Sequence, residues 1–205
     1  MLRAEEVRPR ALIMVSKFDH CLVDLLYRWS AGELAIDIPV VVSNHPDLAG
    51  LIERHGIPFV HLPVTSVTKA AQEAQLLALI ESHRIDFVVL ARYMQILSSN
   101  LCAQLPGRVI NIHHSFLPGF KGAKPYQQAY ERGVKLIGAT AHYVTADLDE
   151  GPIIEQDVIR VNHAFEPDDL VVLGRDVERQ VLARAVKYHA ENRLLRLGHR
   201  VVVFH

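Results

Sequence analysis

The chain has 205 residues, of which 50% are hydrophobic and 22% are charged, and its formal net charge is −1 at pH 7. These values indicate one globular domain with a sizeable core and no global charge to attract nucleic acid or an anionic membrane. No apolar run approaches the roughly 20 residues that a membrane span needs, and the run behind the N-terminus is too short for a signal peptide. We therefore expect a soluble, cytoplasmic protein that binds neither nucleic acid nor membrane.

Short β-branched runs alternate with longer helical patterns along the chain. The predicted strands are 10–16, 37–43, 58–62, 85–91 and 108–113, then 138–144 and 152–161 as a later hairpin, and finally the closing run RVVVF. The predicted helices are one capped by Asp19, a short one ending near Gly56, one over 68–84 and one from Pro167 to about Asn192. Near-continuous apolar strands between helices are typical of an α/β fold with a mostly parallel, twisted sheet. The hairpin predicts a mixed sheet towards the C-terminal end.

The two cysteines, Cys21 and Cys102, lie inside apolar helical patterns. A disulfide framework needs more cysteines in a shorter, secreted chain. Both are predicted to be reduced core residues.

The sequence NIHHSFLPGFKG, residues 111–122, places polar side chains at the end of a predicted strand. Because side chains alternate along a strand, Asn111 and His113 share one face while the neighbouring isoleucines pack on the other. An Asn can donate to a carbonyl oxygen as it becomes an oxyanion, and a His can move a proton near neutral pH. The pair therefore suits acyl chemistry, although an isolated Asn-x-His at a strand end is more often a turn cap beside a surface histidine. The glycines and proline that follow predict a loop, 119–125, able to close over a ligand.

Three carboxylates stand together in TADLDEGPI, residues 145–153. One of them, turned towards an imidazole, would raise the pKa of that imidazole and fix its tautomer. All three could instead form a solvated turn. Spacing alone does not choose among Asp147, Asp149 and Glu150.

A third candidate for a functional site is LARYMQIL, residues 90–97. It combines polar and aromatic side chains directly after a buried strand. It is either an edge of the core or a pocket for a flat heterocycle, which Met and Leu side chains can grip.

Several motifs are missing from the sequence. No glycine-rich dinucleotide or phosphate loop follows the first strand, where the chain reads Ser16-Lys17-Phe18-Asp19. No nucleophile elbow and no zinc-ligand spacing occur, and the adjacent His113 and His114 are predicted to point to opposite sides of a strand, which makes a poor chelate. We expect no metal site.

The stretches NIHHSFLPGFKGAKPY, AYERGVKLIGATAHYVTADLDEGPIIEQD and VVLARYMQIL resemble the formyltetrahydrofolate deformylase family. That family is related to the glycinamide ribonucleotide formyltransferases, and the resemblance runs from about Pro9 to the C-terminus. It implies a Rossmann-like formyltransferase fold, with helices on both faces of the sheet. It also implies hydrolysis of 10-formyltetrahydrofolate to tetrahydrofolate and formate, in support of one-carbon balance for purine synthesis. Folate is then the substrate, no cofactor is required, and we expect a homo-oligomer.

The same resemblance assigns residue roles. It makes Asn111, His113 and Asp149 the catalytic trio, which selects among the three acids on family grounds. It places the folate pocket on Leu90, Arg92, Met94, Ile96 and Leu97, and on the backbone of the loop from Val144 to Asp149, Asp147 included.

The chain departs from the family pattern in two respects. Deformylases of this family usually carry a regulatory ACT domain, and the chain begins where that domain would end. We therefore divide it into a leader or linker remnant, 1–8, and a formyltransferase-type catalytic domain, 9–205, for which amino-acid regulation is not expected. Gln127 stands where the family often has a His, so a His there is not needed for the chemistry.

Two other functions compete with hydrolysis. A transferase would pass the formyl group to an amine, but the glycine-free segment 16–19 offers little to hold the phosphate of a nucleotide acceptor. A non-catalytic folate-binding protein would be expected to have a broken trio, and all three positions are intact.

Overall fold

The computed structural model describes residues 7–119 and 125–205. These two ranges form nine strands and six helices. The strands are β1 Arg10–Val15, β2 Asp37–Ser43, β3 Phe59–His61, β4 Phe87–Leu90, β5 Val109–His113, β6 Leu136–Tyr143, β7 Ile153–Arg160, β8 Leu194–Leu197 and β9 Arg200–Val203. The helices are α1 His20–Ser30, α2 Ala49–Glu53, α3 Lys69–Ser82, α4 Ser99–Gln104, α5 Pro125–Glu131 and α6 Pro167–Ala190.

All nine strands join one sheet in the order β3-β2-β1-β4-β5-β6-β7-β9-β8. Every neighbouring pair from β3 to β5 is parallel, whereas β6 is antiparallel to both β5 and β7. The chain closes with β9 parallel to β7 and antiparallel to β8. The prediction of an α/β fold with a mostly parallel sheet and a mixed C-terminal portion is therefore confirmed.

Helices cover both faces of the sheet. On one face α1 and α6 pack on the strands, with Leu22 and Val181 in the same core as Ile110 and Ile112. On the other face α3 and α4 enclose a second core that includes Val109. The alternation predicted for β5 is thus observed, because its isoleucines face α1 and α6 while its other face turns towards α3 and α4.

Local sequence explains where the long helix starts. Glu166 is the N-cap of α6, and its side chain and that of Asp169 form a reciprocal capping box, with Pro167 at the first helical position. Asp19 occupies the N-cap position of α1, as predicted, but its side chain makes no capping hydrogen bond. The elements α5 and β8 were not predicted from the sequence.

Both cysteines are buried free thiols, as predicted. Among the described residues, no helix is long and apolar enough to cross a membrane. Most of the predicted loop at 119–125 and the first six residues of the predicted leader lie outside the described residues. The division of the chain at residue 9 stays a prediction.

Candidate active site

The end of β5 forms the floor of a cavity of about 390 Å³. Asn111 and His113 open into it from the same face of the strand. One wall is the segment from Leu90 to Leu97 after β4, and the other is residues 144–149 between β6 and β7. The parallel strand β4 and the antiparallel hairpin β6–β7 therefore each contribute one wall.

His113 and Asp149 form a close pair at this floor. Nδ1 of His113 lies 3.3 Å from Oδ1 of Asp149, and the Asp149 side chain is only 10% exposed. Burial alone would raise the pKa of Asp149, but the hydrogen bond from His113 and the nearby ring of His142 outweigh it and hold that pKa well below the usual range. The carboxylate stays ionised and can accept a hydrogen bond from the Nδ1–H. Nε2 of His113 is buried and has no hydrogen-bond partner among the described residues, so it can accept a proton inside the cavity.

A second histidine, His142 on β6, orients Asn111. Nδ1 of His142 lies 2.9 Å from the carbonyl oxygen of Tyr143, so this nitrogen carries the proton of the neutral ring. Nε2 then accepts from Nδ2 of Asn111 at 3.2 Å. One N–H of the amide is used in this way and the other remains available to the cavity. His142 was not predicted as a site residue; its cross-strand pairing with Asn111 follows from the antiparallel register of β5 and β6.

The connection between β6 and β7 brings the acid to the histidine. It folds back along β5, starting where the backbone N–H of Val144 donates to the carbonyl oxygen of Val109 at 2.9 Å. Asp149 adopts the left-handed region, with φ at 57°. At Gly151 any Cβ would overlap the carbonyl oxygen of Tyr143, so only glycine fits.

The structure separates the three acids that spacing could not rank. Asp149 turns inward to His113, whereas Asp147 and Glu150 are exposed. Asp147 and Val144 line the cavity, as the resemblance implied. The catalytic role of Asp149 stays a prediction.

Four of the five residues predicted for the first wall line the cavity: Leu90, Met94, Ile96 and Leu97. The side chain of Arg92 does not. Its backbone has φ at 63°, which turns the side chain away from the wall, and its Nε lies 3.4 Å from Oε2 of Glu178 on α6. A role of Arg92 in folate binding stays a prediction.

Glu178 is the centre of a buried polar cluster next to the cavity. It is 1% exposed, accepts from Tyr126 Oη at 2.6 Å and lies 2.7 Å from Nε2 of His20. His114, between this cluster and His113, is kept neutral because burial and then the charge of Arg92 lower its pKa to about 3. The rings of His113 and His114 have their centroids 5.3 Å apart.

One group among the described residues has donor atoms close enough together for a metal ion: His20, Cys21 and Glu178. The oxygens of Glu178 are already engaged by Tyr126, His20 and the cation of Arg92. A second cation would have to displace these partners, so the group does not fit a metal.

Ser16, in the segment predicted to lack a phosphate-binding loop, makes hydrogen bonds to other parts of the protein. Oγ of Ser16 donates to Asn44 at 2.7 Å and accepts from the backbone N–H of Met94 at 2.9 Å. Its hydroxyl therefore serves the cavity wall.

Comparison with known proteins agrees with this fold. Residues 9–186 match the Formyl transferase family, which defines the class of protein. A formyltetrahydrofolate deformylase from Synechocystis is 58% identical over 96% of this chain and 69% of its own length. The crystal structure of a formyltetrahydrofolate deformylase from Burkholderia mallei is 62% identical, covering 97% of this chain and 71% of that one, with a TM-score of 0.94. The chain belongs to the formyltetrahydrofolate deformylase family.

A more distant neighbour has the same fold under another name. The glycinamide ribonucleotide transformylase 1 of Symbiobacterium toebii is 31% identical, with a TM-score of 0.92, and the match covers 100% of this chain and 98% of that one. The chain thus spans about 70% of the deformylases and nearly all of this transformylase.

Proposed function

We propose that this protein hydrolyses 10-formyltetrahydrofolate to tetrahydrofolate and formate. The observation that carries the proposal is the convergence of Asn111, His113 and Asp149 at the floor of one largely apolar cavity. A neutral amide donor, a free imidazole nitrogen and an ionised carboxylate are the groups that water-dependent cleavage of an amide requires. The names of the relatives in the family support the same substrate.

In this mechanism the cavity walls hold the folate ring, and the formyl group lies at the end of β5. The free N–H of Asn111 donates to the formyl oxygen. Nε2 of His113 takes a proton from a water molecule, whose oxygen attacks the formyl carbon. Asp149 accepts a hydrogen bond from the Nδ1–H and stabilises the imidazolium that forms.

Collapse of the tetrahedral intermediate completes the reaction. The bond between the formyl carbon and N10 breaks, and the imidazolium returns the proton to N10. The products are tetrahydrofolate and formic acid, which ionises to formate by releasing its proton to solvent, and His113 is again neutral. No step requires a cofactor.

Two parts of the proposal reach beyond the chemistry. We place the protein in the cytoplasm, where the formate would contribute to one-carbon balance for purine synthesis. We also take it to be a homo-oligomer. Residues 9–205 would be the catalytic domain.

Transfer of the formyl group to an amine is the second candidate, because the transformylase neighbour shares the fold over the whole chain. The hydroxyl of Ser16 is engaged with Asn44 and Met94, and Ser16–Asp19 contains no glycine to present backbone N–H groups to a phosphate. These contacts favour water over a nucleotide acceptor.

The test is formate release from 10-formyltetrahydrofolate by the purified protein, with and without glycinamide ribonucleotide. We expect formate and tetrahydrofolate in equal amounts with water alone, and no formylated amine. Transfer to the amine without formate would establish the transferase. Folate binding without either product would establish a binding protein.

A further inference from the structure

The first wall of the cavity has little secondary structure of its own. Residues 91–98 lie between β4 and α4 and form neither helix nor strand. No backbone hydrogen bond joins residues 95–97 to any other part of the chain that the structure describes. A wall built in this way keeps its shape only if its ends are fixed.

The N-terminal end of the wall is fixed by Ser16 at the end of β1. Its backbone N–H donates to the carbonyl oxygen of Arg92 at 3.3 Å, and its Oγ accepts from the N–H of Met94 at 2.9 Å. The hydroxyl is itself oriented by donating to Asn44 at 2.7 Å. Ser16 is 3% exposed, so water cannot replace it as the partner of Met94.

The C-terminal end is fixed by Glu73, a buried carboxylate on α3. Oε1 accepts from the backbone N–H of Ser98 at 2.8 Å, and Oε2 accepts from the Ser98 hydroxyl. The same hydroxyl accepts from the N–H of Leu101 at 3.1 Å and so caps α4. Both oxygens of Glu73 therefore serve the junction between the wall and α4.

If only the stability of the fold mattered, a buried carboxylate in this position would be unfavourable. Glu73 is 7% exposed on a helix face that otherwise carries Leu76 and Ile80 into the core. Burying a charge costs free energy that an apolar residue would not, and well-packed apolar replacements of buried charges are often neutral or stabilising. The preceding Gln72 also contacts the wall, donating to Tyr93 Oη at 3.2 Å.

We propose that Glu73 and Ser16 are positioning residues that hold residues 92–98 in the shape that accepts the folate ring. The inference rests on the proposed function for the identity of the ligand. It assigns neither residue to the chemical step, because the catalytic groups lie on β5 and on the other wall. Loss of an anchor therefore weakens substrate binding and leaves turnover intact.

The variants Glu73→Ala and Ser16→Ala test this. If the wall holds its binding shape for only a tenth of the time without an anchor, KM for 10-formyltetrahydrofolate and Kd for tetrahydrofolate each rise about tenfold. We expect kcat to stay within about threefold, since binding energy is lost equally in the ground and transition states. Glu73→Gln should restore KM, because the amide can accept from the Ser98 N–H and donate to its hydroxyl.

Ile80→Ala is the matched control. Ile80 is buried on the same helix about two turns further from the wall, and its truncation leaves a cavity that destabilises the core without touching an anchor. This variant should lower Tm and leave KM unchanged. If Glu73→Ala and Ser16→Ala also lower Tm at unchanged KM, the proposal is overturned and both residues are merely structural.

Hydrogen exchange separates this inference from the proposed function. In the ligand-free protein, the amides of Met94 and Ser98 should be protected in the wild type and in Ile80→Ala. Protection should be lost at Met94 in Ser16→Ala and at Ser98 in Glu73→Ala. Unchanged protection overturns the inference even if the wild type releases formate, whereas lost protection together with a raised Kd for tetrahydrofolate upholds it even if the wild type does not.

Discussion

Nδ1 of His113 lies 3.3 Å from Oδ1 of Asp149, and the opposite ring nitrogen of His113 has no partner among the described residues. In the proposed mechanism this contact holds the tautomer in which Nε2 is the base. Asp149→Asn keeps the shape of the side chain but removes the charge that stabilises the imidazolium. We expect kcat to fall at least about a hundredfold, and similar losses for His113→Ala and Asn111→Ala.

Formate release tests the expected loss of turnover, and thermal unfolding shows whether each variant is still folded. The circular dichroism spectrum should be unchanged in all three variants, since none of these side chains fills the core. Near-normal turnover in any one of them would remove that residue from the mechanism.

His142 acts on the reaction through Asn111, whose amide it orients at 3.2 Å. His142→Leu removes the acceptor and should lower kcat by about tenfold, less than the loss of the oxyanion donor itself. The double variant Asn111→Ala/His142→Leu should be no slower than Asn111→Ala alone. Additive losses would show that His142 has a separate role, through Asp149 at 3.7 Å or otherwise.

Ile96 is 60% exposed at the cavity mouth and contributes little to folding. A folate ring bound there would bury it, so Ile96→Ala should raise KM about fivefold to tenfold while kcat and Tm stay unchanged. Steady-state kinetics checks this, with Val67→Ala as the control because Val67 is 90% exposed and does not line the cavity. Equal KM values in the two variants would place the ring elsewhere.

His189 on α6 makes the stability of the fold depend on pH. Burial and then the charge of Arg196 lower its pKa from 6.5 to about 4. Between these values the unfolded chain binds a proton that the folded protein does not. Stability is therefore complete above pH 6.5 and falls with decreasing pH down to about 4, by up to about 1.4 kcal/mol per pH unit from this residue.

Urea unfolding between pH 7 and pH 4 measures this slope. His189→Gln can keep a hydrogen bond to Tyr143, whose Oη lies 2.8 Å from the His189 ring, and should flatten the slope. Tyr143→Phe retains the titrating ring and should lower stability with the slope preserved. An identical slope in wild type and His189→Gln would show that another group causes the loss.

The parts of the fold that sequence predicts are those set by local pattern. The nearly continuous apolar runs of β1, β2 and β4 are typical of buried parallel strands. The alternation of side chains along β5 predicts that Asn111 and His113 share one face. The short strand β8 was not predicted because its side chains are mostly exposed and lack an alternating apolar face.

The details of the site depend on contacts that a sequence does not display. Spacing left three acids open because the inward turn of Asp149 is set by a left-handed backbone and by the close approach at Gly151. The resemblance placed Arg92 in the pocket wall, and the sequence does not signal the positive φ that turns its side chain away, because only glycine normally marks such a position. In the sequence, Glu73 is not distinguishable from any other helix residue, because its contact with Ser98 is formed only in the folded chain.

The number of residues in the connection from Val144 to Gly151 is constrained because both of its ends are held in place. One end is tied by a hydrogen bond to β5, and the other is pressed against the backbone of β6, so Asp149 meets His113 only at the present residue count. Exposed positions such as Asp147 can change identity without moving the acid. An insertion or deletion of one residue cannot be absorbed at either end, and it would shift the carboxylate by up to about 3.5 Å along the strand direction. New substrate preferences in this scaffold must therefore come from side-chain replacement on the wall, with the spacing of the loop left untouched.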